Sequence, residues 1–206
     1  MAAIIFDFDG TIADSFDFIV DFLAATAHRP PLTAAERAEL RGLSMTGIGR
    51  SLGLSWPRLL RSFFAGRRRM SSAIDQLEPF EGMADVLEKV HGEGHELFIL
   101  TSNSVRNVHK FLHRHNLHEY FLEVYGGIGL FSKAPALRRL LKEQSIERDN
   151  AVSIGDEPRD IMAAQSQKIR AIAVTWGFAR TSDLQELGPT NLASSPDELL
   201  QLLEEL

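Results

Sequence analysis

The chain has 206 residues, 44% of them hydrophobic and 24% charged, which suits one sizeable core, or a core with an insert, and excludes a disordered polymer. A formal charge of -6 argues against a nucleic-acid partner, because binding a phosphate backbone needs a broad cationic surface. With no cysteine, disulfides, thiolate zinc sites and cysteine nucleophiles are excluded, and any metal must sit on oxygen or imidazole.

The opening MAAIIFDFDG carries no basic leader, and its apolar run stops at an aspartate. Neither a signal segment nor a membrane span is expected there, so a cytoplasmic location is the expectation. Residues 3–6, AIIF, read as a first buried strand. From residue 14 to 79 the pattern is helical without a convincing strand. SFDFIVDFLAATAH has an apolar helical face, Thr33 with Glu36 matches a capping box, and Pro57 suits the first turn of a helix reaching about Ile74. This interval reads as a helical insertion after the first strand, and Pro79, Phe80, Glu81 and Gly82 mark the return.

Beyond the return, apolar runs at 96–100 (ELFIL), 151–154 (AVSI) and 171–174 (AIAV) read as further buried strands. MADVLEKVHG, APALRRLLKEQ and RDIMAAQSQ between them have helical three-four spacing. Such alternation predicts an α/β fold, a parallel sheet of five or so strands covered by helices. PDELLQLLEEL closes the chain as a helix with Pro196 in its first turn.

Four strand ends carry candidate chemistry. Asp7, Phe8, Asp9, Gly10 and Thr11 directly follow the first strand, where ligand sites of open α/β sheets lie. Gly155, Asp156, Glu157 and Asp160 follow AVSI. If these acidic strand ends converge they repel, unless a hard divalent cation with oxygen ligands joins them, and magnesium is the natural candidate. Thr101, with Ser102 and Asn103, follows ELFIL and offers a hydroxyl and backbone amides to a phosphoryl oxygen. Lys133 stands at a loop-to-helix junction as a compact positive charge. Each has a blander reading: a polar turn at Gly10, helix capping by Asp156, Asp160, Ser102 or Ser104, and a solvated lysine.

In order, D-F-D-G-T, a strand ending in Thr101, Lys133 and G-D-E-P-R-D resemble the four motifs of the haloacid dehalogenase superfamily, over nearly the whole chain. The helical insert resembles that family's C1-type cap domain, and AVTWGFA resembles phosphoglycolate phosphatase-like members. The resemblance implies a Rossmann-like core of residues 1–13 and 80–206 with a cap at 14–79, the first and fourth strands lying side by side. It implies Asp7 as nucleophile and Asp9 as general acid and base. Magnesium would be held by Asp7, the backbone carbonyl of Asp9 and Asp156, supported by Glu157 and Asp160. Phosphate would be held by Gly10, Thr101, Ser102 and Lys133. The implied activity is hydrolysis of a small phosphorylated metabolite, a phosphate monoester, through a phosphoaspartate. A mutase of the same family and, in another class, a non-turnover phosphoacceptor or binding protein remain alternatives, and no oligomeric state is implied.

One departure is Ser132 before the lysine, where relatives often have glycine. The intact Asp9 counts against carbon-halogen chemistry, since the dehalogenases of this family lack it. GIGRSLG at 47–53 and GGIGLF at 126–131 do not complete a dinucleotide-binding fingerprint. His109 and His113 are expected on a solvated helix face rather than on a metal. Trp176 and the pair Phe63 and Phe64 are expected to pack, and Arg67, Arg68 and Arg69 to line a solvated surface.

Overall fold

The computed structural model describes residues 1–43, 45–129 and 132–206. The side chains at 63, 64 and 67–69, and with them the expectations for those phenylalanines and arginines, lie outside the described residues.

In chain order the elements are β1 (Ala3–Phe6), α1 (Phe16–Thr26), α2 (Ala34–Leu40), α3 (Met45–Ser51), α4 (Trp56–Ala73), α5 (Met83–Gly92), β2 (Glu96–Leu100), α6 (Val105–Arg114) and β3 (Phe121–Tyr125). There follow α7 (Lys133–Glu143), β4 (Ala151–Gly155), α8 (Pro158–Gln167), β5 (Arg170–Val174), α9 (Thr181–Glu186), β6 (Asn191–Ala193) and α10 (Pro196–Glu204). The six strands form one parallel sheet in the order β3-β2-β1-β4-β5-β6.

Alternation along each strand divides the core in two. Ile4, Phe6, Leu97, Ile99, Val152 and Ile154 face one side, where Phe16, Val86, Leu87, Val108, Phe111 and Leu199 cover them. Ala3, Ile5, Phe98 and Leu100 face the other, against Leu137 and Leu140 of α7, Ile161 of α8 and Leu184 of α9. Burial on both faces explains why these strands read as largely apolar runs rather than as alternating ones. Each fully buried Ile, Leu or Phe contributes roughly 1.5–3 kcal/mol.

The sheet has two strands that the apolar runs did not announce. β3 is an edge strand with Leu122 and Glu123 exposed, and β6 has only three residues. Its order reverses around β1, and the resulting crevice opens at the carboxyl ends of β1, β2 and β4. Register pairs Phe6 with Ile154, and the Asp7 N–H extends the ladder to the Ile154 carbonyl at 2.8 Å. The residues just past β1 and β4 therefore lie side by side.

Between β1 and β2 the chain makes its helical excursion, α1 to α4, with no strand among the described residues. Thr33 and Glu36 form the reciprocal capping box, with Thr33 N to Glu36 Oε2 at 2.8 Å. The chain leaves and rejoins the sheet at paired positions: Ala13 bridges Pro79, and Phe80 N–H bonds the Ile12 carbonyl at 3.0 Å. The excursion touches the rest again through a bridge between Gly42 and Ala179. Among the described residues no helix is long and apolar enough to cross a membrane.

Candidate active site

The four sequence motifs converge on one cluster. Carboxylate oxygens of Asp7, Asp156 and Asp160 lie within 4.8 Å of one another, and all three residues are buried. Lys133, the first residue of α7, places its ammonium 2.7 Å from Asp7 Oδ2 and also contacts Asp160 Oδ1. It is not a solvated lysine. Burial alone would lower its pKa, but Asp160 and Asp7 together raise it, so it is firmly charged.

Backbone geometry fixes each partner. Asp7 Oδ1 accepts from the Phe8 N–H at 2.8 Å, which leaves Oδ2 facing the crevice. Asp156 is fully buried and is held by Thr11 Oγ1 at 3.0 Å and the Phe178 N–H at 2.8 Å. Two glycines make room for it. Gly10 adopts φ +81°, and a Cβ there would stand 2.3 Å from Asp156 Oδ2. At Gly177 a Cβ would meet the Asp156 Cβ at 2.3 Å.

Capping and site chemistry coexist at α8. Glu157 is the N-cap, and its backbone N–H bonds Asp160 Oδ2 at 3.0 Å, while Asp160 Oδ1 turns to Lys133. At the end of β2 Thr101 is buried, and its hydroxyl accepts from the Asn103 N–H at 3.0 Å. Ser104, not Ser102, caps α6, bonding the Asn107 N–H at 3.2 Å. Ser102 Oγ instead lies 3.5 Å from Arg159 Nη2.

Asp9 stands apart from the carboxylate triad. Its Oδ2 accepts from Asn103 Nδ2 at 3.0 Å, and Asn103 is itself held by Asn107 Nδ2 at 3.0 Å. Burial, and then repulsion from Asp7, push the Asp9 pKa up to about 6, against the opposing pull of Ser15, Asn103 and Arg159. A carboxyl so poised can give and take a proton near neutrality. Asp156 is raised well above the usual carboxylate range, first by burial and then by Glu157, Asp160 and Asp7.

Sequence reasoning named Thr11 and Asn103 at the strand ends without a role for their side chains, and gave no place in the site to Arg159 or Gly177. Arg159 lies in the first turn of α8, pairs through Nε with Glu157, and reaches towards Asp7 Oδ2 at 4.0 Å. His109 and His113 are exposed on α6, as expected, and Trp176 packs on Phe80 while its Nε1–H bonds the Thr11 carbonyl at 3.2 Å.

Five acidic side chains, Asp7, Asp9, Asp156, Glu157 and Asp160, thus face two cations, Lys133 and Arg159. The all-oxygen donors and the excess negative charge fit a hard divalent cation.

A family model described as haloacid dehalogenase-like hydrolase matches residues 4–174. A phosphoglycolate phosphatase of Synechococcus elongatus is 36% identical over 211 residues, covering 100% of this chain and 99% of the relative. Among solved structures, a predicted phosphatase from Clostridium acetobutylicum is similar with a TM-score of 0.83 at 21% identity, covering 100% of this chain and 99% of that one. A hydrolase of Streptococcus pneumoniae, of the haloacid dehalogenase-like family, gives 0.79 at 24% identity, with 98% of both chains covered. The chain belongs to the haloacid dehalogenase-like hydrolase family, as a member of its phosphatase type.

Proposed function

We propose that this protein is a magnesium-dependent phosphatase that hydrolyses a small organic phosphate monoester through a phosphoaspartate on Asp7. The observation that carries the reading is the meeting of Asp7 Oδ2, Lys133 and the carboxylates of Asp156 and Asp160 at the carboxyl end of the sheet. Asp7, the Asp9 backbone carbonyl and Asp156 would hold the magnesium ion, which supplies charge stabilisation to the transferring phosphoryl group.

The chain's own residues supply the rest. Asp7 Oδ2 attacks phosphorus and becomes an acyl phosphate. Asp9, with its raised pKa, protonates the departing alkoxide and then takes a proton from the water that attacks the phosphoaspartate. Thr101, Ser102 and the Gly10 turn cradle the phosphoryl oxygens, and Lys133 holds Asp7 Oδ2 and offsets the gathered negative charge. Asn103 aims the Asp9 carboxyl.

Residues 14–79 act as a cap over a core of residues 1–13 and 80–206. The Gly42–Ala179 bridge and the packing of the Phe16 ring on Phe178 at 5.6 Å support closure over the rim of the crevice. The name of the Synechococcus relative makes 2-phosphoglycolate the first substrate to assay. The test is phosphate release from a panel of phosphorylated metabolites with magnesium present. Asp7→Asn abolishes turnover in this scheme; full activity of that variant, or of wild type in EDTA, refutes it.

A further inference from the structure

We infer that Arg159 is a second cation of the phosphoryl pocket, contacting the phosphate oxygens opposite Lys133; this deepens the phosphatase reading and rests on it. The resemblance to known motifs gives this side chain no role, and two of its three contacts are far off in sequence.

The guanidinium is held by one close pair and has two further polar neighbours. Nε pairs with Glu157, while Nη2 lies 3.5 Å from Ser102 Oγ and 4.0 Å from Asp7 Oδ2. The side chain is 22% exposed, so its stem is packed and only part of the fork meets the crevice. Burial alone would lower its pKa, but Glu157, Asp7 and Asp160 outweigh that and raise it further, so it stays charged.

That position has a chemical meaning. A guanidinium serving only Glu157 would need no contact with Ser102 or approach to Asp7. Instead Nη2 lies between the nucleophile's Oδ2 and the Ser102 hydroxyl just past β2, where the non-reacting oxygens of a phosphoryl group on Asp7 would sit. Arginine's planar fork suits this, since one edge can stay on Glu157 while the other donates to phosphate.

Charge supports the same assignment. With all five carboxyls counted as ionised, Lys133 and Arg159 leave a surplus of three negative charges, from -5 and +2. A divalent ion reduces this to -1, and a phosphate dianion must still enter. Without Arg159 the dianion meets a site of charge -2. Glu157 then acts as a positioning residue that holds the guanidinium in its rotamer.

The test is direct binding of orthophosphate to the magnesium-loaded full-length protein by titration calorimetry, for wild type, Arg159→Gln, Arg159→Lys and Glu157→Gln. Loss of one charge-assisted contact weakens phosphate roughly 10- to 100-fold in Arg159→Gln. Arg159→Lys recovers part of that, and the thermal shift produced by magnesium is retained in both. Phosphate affinity within about threefold of wild type in both arginine variants overturns the assignment. So does a parallel loss of magnesium response, which would make Arg159 merely a counter-ion of the carboxylates. Should Arg159→Gln not fold, Arg159→Lys decides alone, with wild-type affinity overturning the proposal. Failure of the phosphatase reading shows separately, as wild-type protein that binds phosphate yet releases none from any monoester.

Discussion

Magnesium should stabilise the fold itself, independently of any turnover. Carboxylate oxygens within 4.8 Å repel by about 3.5 kcal/mol per pair at an effective dielectric near 20, so three such pairs cost about 10 kcal/mol before the cations are counted. Lys133 and Arg159 offset part of this, and a divalent ion relieves more. At an ion concentration about 100 times its Kd, preferential binding to the native state contributes about 2.7 kcal/mol. For a chain of 206 residues that raises Tm by about 5–10 °C. The pH dependence has a definite sign. Asp9 is raised from 3.8 to about 6, and Asp156 and Asp160 are raised too, so between these limits the native state holds protons that the unfolded chain has released. Their contribution to metal-free stability is therefore complete below pH about 4 and is lost as pH climbs through about 6 and beyond. The magnesium shift should grow over the same range, because the ion competes with those protons. Scanning fluorimetry in EDTA and in graded magnesium, at pH 5 and pH 7.5, measures both effects. A Tm unmoved by millimolar magnesium at pH 7.5 would refute the cation site, and a larger shift at pH 5 would refute the charge argument.

Asp9→Asn keeps the backbone carbonyl and removes the proton carrier, so kcat on an aryl phosphate should fall roughly 10²- to 10⁴-fold while the magnesium shift stays; retention of wild-type kcat would exclude Asp9 as acid and base. Lys133→Met leaves Asp7 and Asp160 buried without their partner, a loss of roughly 3–5 kcal/mol by urea unfolding in EDTA, smaller in magnesium. Equal losses in the two media would show that the ammonium does not balance the carboxylate cluster. Gly10→Ala sets a methyl 2.3 Å from Asp156 Oδ2 on a backbone with φ +81°, so the magnesium shift should shrink even where the protein still folds. An undiminished shift would place the cation away from Asp156.

The fold was legible where burial is two-sided. AIIF, ELFIL, AVSI and AIAV are apolar at every position but Glu96 and Ser153 because helices cover both sheet faces, and that makes them conspicuous. FLEVY carries Leu122 and Glu123 into solvent at the sheet edge, and NLA is too short to form a pattern, so β3 and β6 left no comparable trace. Thr33 with Glu36 was readable for the opposite reason, since a capping box closes within four residues and needs no tertiary partner.

The site divides along the same line. Asp7, Asp9 and Asp156 sit directly after strands, where sequence alone places them at a functional edge, and Asp160 follows in the first turn of α8. Asn103 and Arg159 act through partners 94 and 57 residues away, and neither residue type is unusual for a loop or a helix's first turn. What sequence does expose is the imbalance they answer. Carboxylates gathered at two neighbouring strand ends cannot stay ionised unless positive charge arrives from elsewhere in the chain or from solution. Lys133 and Arg159 are the chain's share of that charge, and the remaining negative charge is what a divalent ion would offset in the proposed mechanism.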